Sequence, residues 1–203
     1  MKIKSVRSVR VSLPEQTSEV NPRRPSWNKS AKRAMPINLY PRFSRYPHDM
    51  PAGQLDTVWV RVVAEDGTWG LGQCAFGEPV SAFINTVIAP IIEGQNCMAI
   101  EHLNDLIVRV SQRFGTSGTA STAMSGVDLA LWDLKGKILN QPVYSLLGGP
   151  VRESITCYAT SDDLDWSQEL GFTKFKITNP SHYSDGDAGI KAVIDHVSQA
   201  RER

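Results

Sequence analysis

Residues 119–149 read TASTAMSGVDLALWDLKGKILNQPVYSLLGG, and this stretch decides the fold. Ala123, Val127, Ala130, Leu131, Leu134 and Ile138 recur at the 3.6-residue period of a helix with one apolar face. Hydroxyl-bearing residues in Ser117–Thr122 can cap its start, and it stops near Asn140 because Pro142 cannot continue it. Asp128 and Asp133 lie five apart, hence on different faces. They cannot form a metal pair and are expected to make structural hydrogen bonds.

Moving toward the N-terminus, two weaker helical patterns cover 98–114 and 79–92, the latter stopped by Gly94. Before them the period changes to two. Thr57–Ala64 and Trp69–Cys74 read as strands joined by the turn Glu65-Asp66-Gly67-Thr68, and residues 3–13 alternate around Ile3, Val6, Val9 and Val11. A small antiparallel sheet of about three strands is expected, with Thr68, Trp69 and Trp132 serving turn and core. Residues 14–54 break the pattern with Pro14, Pro22, Pro25, Pro36, Pro41, Pro47 and Pro51, many cations and few aliphatics. A stretch this long without regular structure is either functional or disordered.

Toward the C-terminus the pattern becomes strand, helix, strand, helix. The elements are Ser154–Thr160, Asp162–Leu170 ending at Gly171, Phe172–Thr178 and Asp185–Arg203. Alternation of this kind implies parallel strands with right-handed crossovers. A closed (β/α)₈ barrel takes roughly 250 residues, so residues 155–203 are expected to hold only its first two units, and the chain to stop inside a domain.

The composition excludes several functions. With 41% hydrophobic and 21% charged residues, the chain reads as globular. A net charge of +1, from 22 basic and 21 acidic groups, gives no reason to expect nucleic acid or a membrane surface as partner. No apolar run reaches the roughly 20 residues of a membrane helix. Met1-Lys2-Ile3-Lys4 opens a strand rather than a signal core, so a cytoplasmic location is expected. Cys74, Cys97 and Cys157 form no C-x-x-C pair and read as reduced, packing thiols. His48, His102, His182 and His196 lack ligand spacing.

Two motifs carry a resemblance. Ser125-Gly126-Val127-Asp128-Leu129-Ala130-Leu131-Trp132-Asp133-Leu134-Lys135-Gly136-Lys137, followed by Pro142-Val143-Tyr144-Ser145-Leu146-Leu147-Gly148-Gly149, is similar to the mandelate racemase and muconate lactonizing subgroup of the enolase superfamily. Leu170-Gly171-Phe172, Asp185-Gly186-Asp187-Ala188-Gly189-Ile190 and Met35-Pro36 ahead of Tyr40 resemble its acid-sugar dehydratases. The resemblance implies an α+β capping domain over 1–150, with a lid at 14–54, and the beginning of a truncated (β/α)₈ TIM-type barrel over 151–203. It also implies Mg²⁺-dependent dehydration of a rhamnonate-like sugar acid, and a homo-oligomer in the full-length family. A base takes the proton beside the carboxylate, and the 3-hydroxyl then leaves as water. A racemase or cycloisomerase of the same superfamily remains an alternative, as does a non-catalytic remnant or partner-binding half.

Site residues follow from the same resemblance. Lys174 and Lys176 lie at the end of the second barrel strand, the second as base and the first polarising the carboxylate. The alternative is two surface lysines with their stems on apolar neighbours. Arg23, Arg24, Trp27, Arg33, Arg42 and Arg45 belong to the lid and would grip substrate and exclude water. His182 follows the lysine strand at the barrel's active-site end. The family's three metal carboxylates fall on the third, fourth and fifth barrel strands. None is expected here, so the metal set is none and the chain is expected to be inactive alone.

Overall fold

A computed structural model describes residues 1–11, 36–40, 43 and 57–202. They fall into two compact units, 1–11 with 57–153, and 154–202 with 36–40 and 43. The expected lid at 14–54 lies almost entirely outside the described residues; within it Pro36–Leu39 forms one 3₁₀ turn.

The first unit is built on an antiparallel sheet of order β1-β2-β3, with β1 Ile3–Val9, β2 Val58–Ala64 and β3 Trp69–Cys74. In β2 the alternation is complete, with Val58, Val60, Val62 and Ala64 all buried. Each valine removed from water in this way contributes about 1.5–3 kcal/mol. In β1 the buried residues are Ile3 and Val6, an odd number apart. A register irregularity between Ile3 and Ser5 turns both to the same face.

Helices follow: α1 Gly77–Phe83, a π segment Ile84–Ile88, α2 Ala89–Ile92, α3 Ile100–Ser111 with a 3₁₀ end at Gln112–Phe114, α4 Thr119–Leu139, and α5 Val143–Leu146. The expected helix over 79–92 is thus one run containing a π turn. Pro90 has no N–H to give and its ring crowds the carbonyl four residues back, so the preceding turn widens. Helix α4 ends where expected. Asn140 takes the left-handed conformation at φ 50°, and Gln141 N–H donates to the Gly136 carbonyl at 2.9 Å.

Helix α4 lies on the sheet at very short range. A Cβ placed on Gly72 would come within 2.0 Å of the Gly126 carbonyl oxygen, and one on Gly70 within 2.0 Å of the Ala130 carbonyl oxygen. Asp133 ties the two layers, its Oδ2 accepting the Leu71 N–H at 2.8 Å. Asp128 accepts from Asn104 Nδ2 at 2.7 Å and so joins α4 to α3. Both aspartates make the structural bonds expected of them. Trp69 departs from expectation. Instead of lying in the core it is half exposed, with the Lys137 ammonium 4.0 Å above its ring.

The outer edge of β1 is covered. Val6 N–H donates to Glu93 Oε1 at 2.9 Å, Ser8 N–H to Asn85 Oδ1 at 3.0 Å, and Ile3 N–H to the Gln95 carbonyl at 2.9 Å. Side chains and loop backbone thus occupy groups that would otherwise pair with another chain.

The second unit contains β4 Ala159–Thr160, α6 Leu164–Glu169, β5 Phe175–Lys176, a 3₁₀ turn Tyr183–Asp185 and α7 Gly186–Arg201. β4 and β5 are parallel, as expected, but only two residues long where seven were expected of each. A parallel strand needs neighbours on both sides, and among the described residues these two pair only with each other. Residues 154–158 are accordingly exposed and unpaired. Among the described residues no helix is long and apolar enough to cross a membrane.

The three thiols are free. Cys97 is buried in the core, and Cys74, half-buried, packs against that core near Gly126. Burial pushes both thiols above the usual range. Cys157 is exposed, so the packing role expected of it does not hold. At pH 8 a thiol reagent is expected to modify Cys157 at once, half-buried Cys74 more slowly and buried Cys97 only after denaturation, because the thiolate is the nucleophile and must be reached. Three equal rates on native protein would contradict this burial.

Candidate functional site

The K-x-K stretch is placed by β5. Lys174 and Lys176 are exposed and the intervening Phe175 is half-buried, as strand alternation requires. Their carbonyls hold β4: Ala159 N–H donates to Lys174 O at 2.9 Å, and Ser161 N–H to Lys176 O at 3.2 Å. The loops after both strands lie at the same end of this small parallel sheet. There Asp162 Oδ1 accepts the Thr178 N–H at 2.9 Å, and Asp162 Oδ2 accepts the Thr178 hydroxyl at 2.7 Å. His196 Nε2, on α7, stands 3.9 Å from Asp162 Oδ1.

His182 begins the turn into α7 and acts as its cap. Its Nδ1 meets Ser184 Oγ at 2.8 Å and accepts the Ser184 N–H at 3.2 Å, while its own N–H donates to Asp185 Oδ2 at 2.8 Å. Accepting at Nδ1 puts the ring proton of the neutral imidazole on Nε2. That atom is shut from solvent and has no hydrogen-bond partner among the described residues. The ring also stacks on Tyr183, centroids 4.1 Å apart.

Arg23, Arg24, Trp27, Arg33, Arg42 and Arg45 lie outside the described residues. The points where their segment leaves and rejoins the sheet, residues 11 and 57, border a cavity of about 700 Å³. Polar groups line it, among them Ser8, Arg10, Thr57, Gln73, Glu78 and Ser81. Sequence reasoning missed these residues. One signal was available in Ala75-Phe76-Gly77-Glu78, which joins β3 directly to α1. Phe76 there adopts φ 70°, a conformation that disfavours bulky side chains, and its ring is half exposed.

Among the described residues no group of three His, Cys, Asp or Glu side chains converges to hold a metal ion. The carboxylates in the loop after β4 are already engaged, Asp162 with Thr178 and Asp163 with the Trp166 N–H. These described residues do not by themselves assemble a Mg²⁺ site.

Comparison with known proteins places the chain. Residues 20–148 match the family model of the mandelate racemase / muconate lactonizing enzyme N-terminal domain. An L-rhamnonate dehydratase from Saccharopolyspora erythraea is 38% identical over 170 residues, which is 84% of this chain and 44% of that enzyme. The crystal structure of L-rhamnonate dehydratase from Gibberella zeae superposes with a TM-score of 0.83 at 25% identity, covering 99% of this chain and 48% of that one. A second structure of the Gibberella zeae enzyme, complexed with Mg, matches with the same TM-score at 24% identity, over 99% of this chain and 50% of that one. The chain therefore spans about half the length of these relatives or less. The antiparallel sheet, the α4 motif and the matched family model together make this chain a member of the mandelate racemase / muconate lactonizing enzyme family.

Proposed function

We propose that this chain is the capping domain and barrel entrance of a Mg²⁺-dependent acid-sugar dehydratase acting on a rhamnonate-like acid. One observation carries the reading. Likeness to L-rhamnonate dehydratase runs over 170 residues, whereas the family model covers 20 through 148, which is 129 residues. The likeness to that enzyme is therefore not confined to the shared capping domain.

In this reading Lys176 takes the proton from the carbon beside the substrate carboxylate, and Lys174 lies beside that carboxylate as a cation. Loss of the 3-hydroxyl as water then leaves a 2-keto-3-deoxy acid. Arg23, Arg24, Arg33, Arg42 and Arg45 hold the carboxylate and distal hydroxyls, and Trp27 excludes water. His182 lies in the loop after β5, at the same end of the sheet as the lysines, with its ring Nε2 closed from solvent. A divalent cation in such enzymes offsets the charge that builds on the carboxylate oxygens. Its ligands must come from residues other than those described here.

The 203-residue chain alone, given Mg²⁺ and a panel of acid sugars, is expected to yield no 2-keto-3-deoxy product. Turnover above a metal-free control would overturn that expectation. A fusion that adds the C-terminal half of the Saccharopolyspora erythraea enzyme is expected to dehydrate L-rhamnonate. In that fusion Lys176→Met should lower turnover by about 10²-fold or more, the usual worth of a proton-transfer group. A folded fusion inert on every acid sugar would sink the reading.

A further inference from the structure

Little backbone holds β5 in place. Its ladder with β4 has two paired positions, Ala159 with Phe175 and Thr160 with Lys176. What fixes the chain just beyond Lys176 is one carboxylate. Asp162, two residues past the end of β4, grips Thr178, two residues past the end of β5. It uses both oxygens, one for the backbone N–H at 2.9 Å and one for the hydroxyl at 2.7 Å. Such bonds to a charged acceptor are about twice as strong as neutral ones. The same carboxylate has His196 of α7 at 3.9 Å, so it is common to three elements.

We propose that Asp162 is a positioning residue for Lys176, holding the end of β5 so that the lysine is presented in one place. This rests on the reading of Lys176 as the proton-handling group. Each unpinned residue adds two soft dihedrals to the strand end. A catalytic group displaced by about 1 Å loses about 100-fold in rate. With Thr178 clamped on the C-terminal side and the Lys174 carbonyl bonded to Ala159 N–H on the N-terminal side, Lys176 is fixed from both directions. Thr178 supplies both donors, one of them its backbone N–H, so only the second bond needs a hydroxyl-bearing residue at that position.

The test is residue-resolved hydrogen exchange on the dilute 203-residue chain. Asp162→Ala is expected to speed exchange at the Thr178 amide by at least about tenfold, the worth of one charge-assisted bond. The Ser161 amide, which reports where the Lys176 carbonyl lies, should speed up with it. Thr178→Val should reproduce a smaller part of the effect, and Thr178→Ser should restore native rates. Amides within α7 should keep theirs. Unchanged exchange at Thr178 and Ser161 in Asp162→Ala would overturn the proposal. So would equal acceleration throughout α6 and α7, which marks general loss of stability. If Asp162→Ala does not fold, the contrast between Thr178→Val and Thr178→Ser decides in its place. No substrate enters this experiment. An inert fusion would sink the dehydratase reading and leave the exchange rates as they are.

Discussion

Gly72→Val is expected to prevent the unit formed by residues 1–11 and 57–153 from folding. The reason is backbone against backbone. A Cβ on Gly72 would lie 2.0 Å from the Gly126 carbonyl oxygen and 2.7 Å from the Ala130 nitrogen. No side-chain rotamer relieves that contact, so α4 would have to lift from the sheet. Lifting it would separate Val127, Ala130, Leu131 and Leu134, all buried, from Val60 and Val62 opposite. It would also break the Asp133 bond to the Leu71 N–H. Overpacking of a core costs about 1–3 kcal/mol where side chains can shift, and more where they cannot. A domain typically holds only about 5–15 kcal/mol in total. Circular dichroism and denaturant unfolding of Gly72→Val against Gly67→Ala make the comparison. Gly67 lies in the open turn after β2, where no neighbouring atom would meet a Cβ, though its φ of 88° makes alanine strained there. The turn variant should stay folded and lose only part of the stability. A Gly72→Val protein with a native unfolding midpoint would refute the close helix-on-sheet contact.

Protease should cut first in residues after about 150, and the chain should self-associate through the 154–202 unit. On α7, Ile190, Ile194 and Val197 recur at i, i+4 and i+7 and are 61%, 58% and 39% exposed. Ile155 is 76% exposed and precedes β4 in a segment without regular structure. Open strand edges template pairing with other chains, and an apolar stripe adds to the drive. The first unit differs in both respects, with its β1 edge covered and its sheet face buried under α4. Cleavage within 154–202 is therefore expected at least about tenfold faster than within 57–140, tracking the low free energy of local opening. Ile190→Lys with Ile194→Lys should shift light scattering toward monomer. A monodisperse monomer, with 155–203 as resistant as 57–140, would show that these surfaces are already satisfied.

Much of the first unit was legible in the sequence because its information is periodic and local. The 3.6-residue repeat of Ala123 to Ile138 gave α4, and Asn140 with Pro142 gave its end. The Asp66-Gly67 turn gave the β2–β3 hairpin, whose register pairs Val63 with Trp69. The structural role of Asp128 and Asp133 followed from their five-residue spacing, and Gly171 marked the end of α6. Other features depend on which residues meet across long separations, and no period records those. Gly70 and Gly72 read as ordinary strand residues until α4 lies on them at 2.0 Å. Lys174 and Lys176 read as a strand motif, yet the strand is two residues long, since hydrogen-bonded neighbours set strand length and composition does not. His182 read as a site residue on its place after that strand; its Nδ1 is committed to Ser184, two residues on, by the local cap of the turn into α7, which the spacing alone did not announce. Asp162 carried no signal at all, because its partner Thr178 is 16 residues away and becomes a neighbour only when β4 and β5 lie side by side.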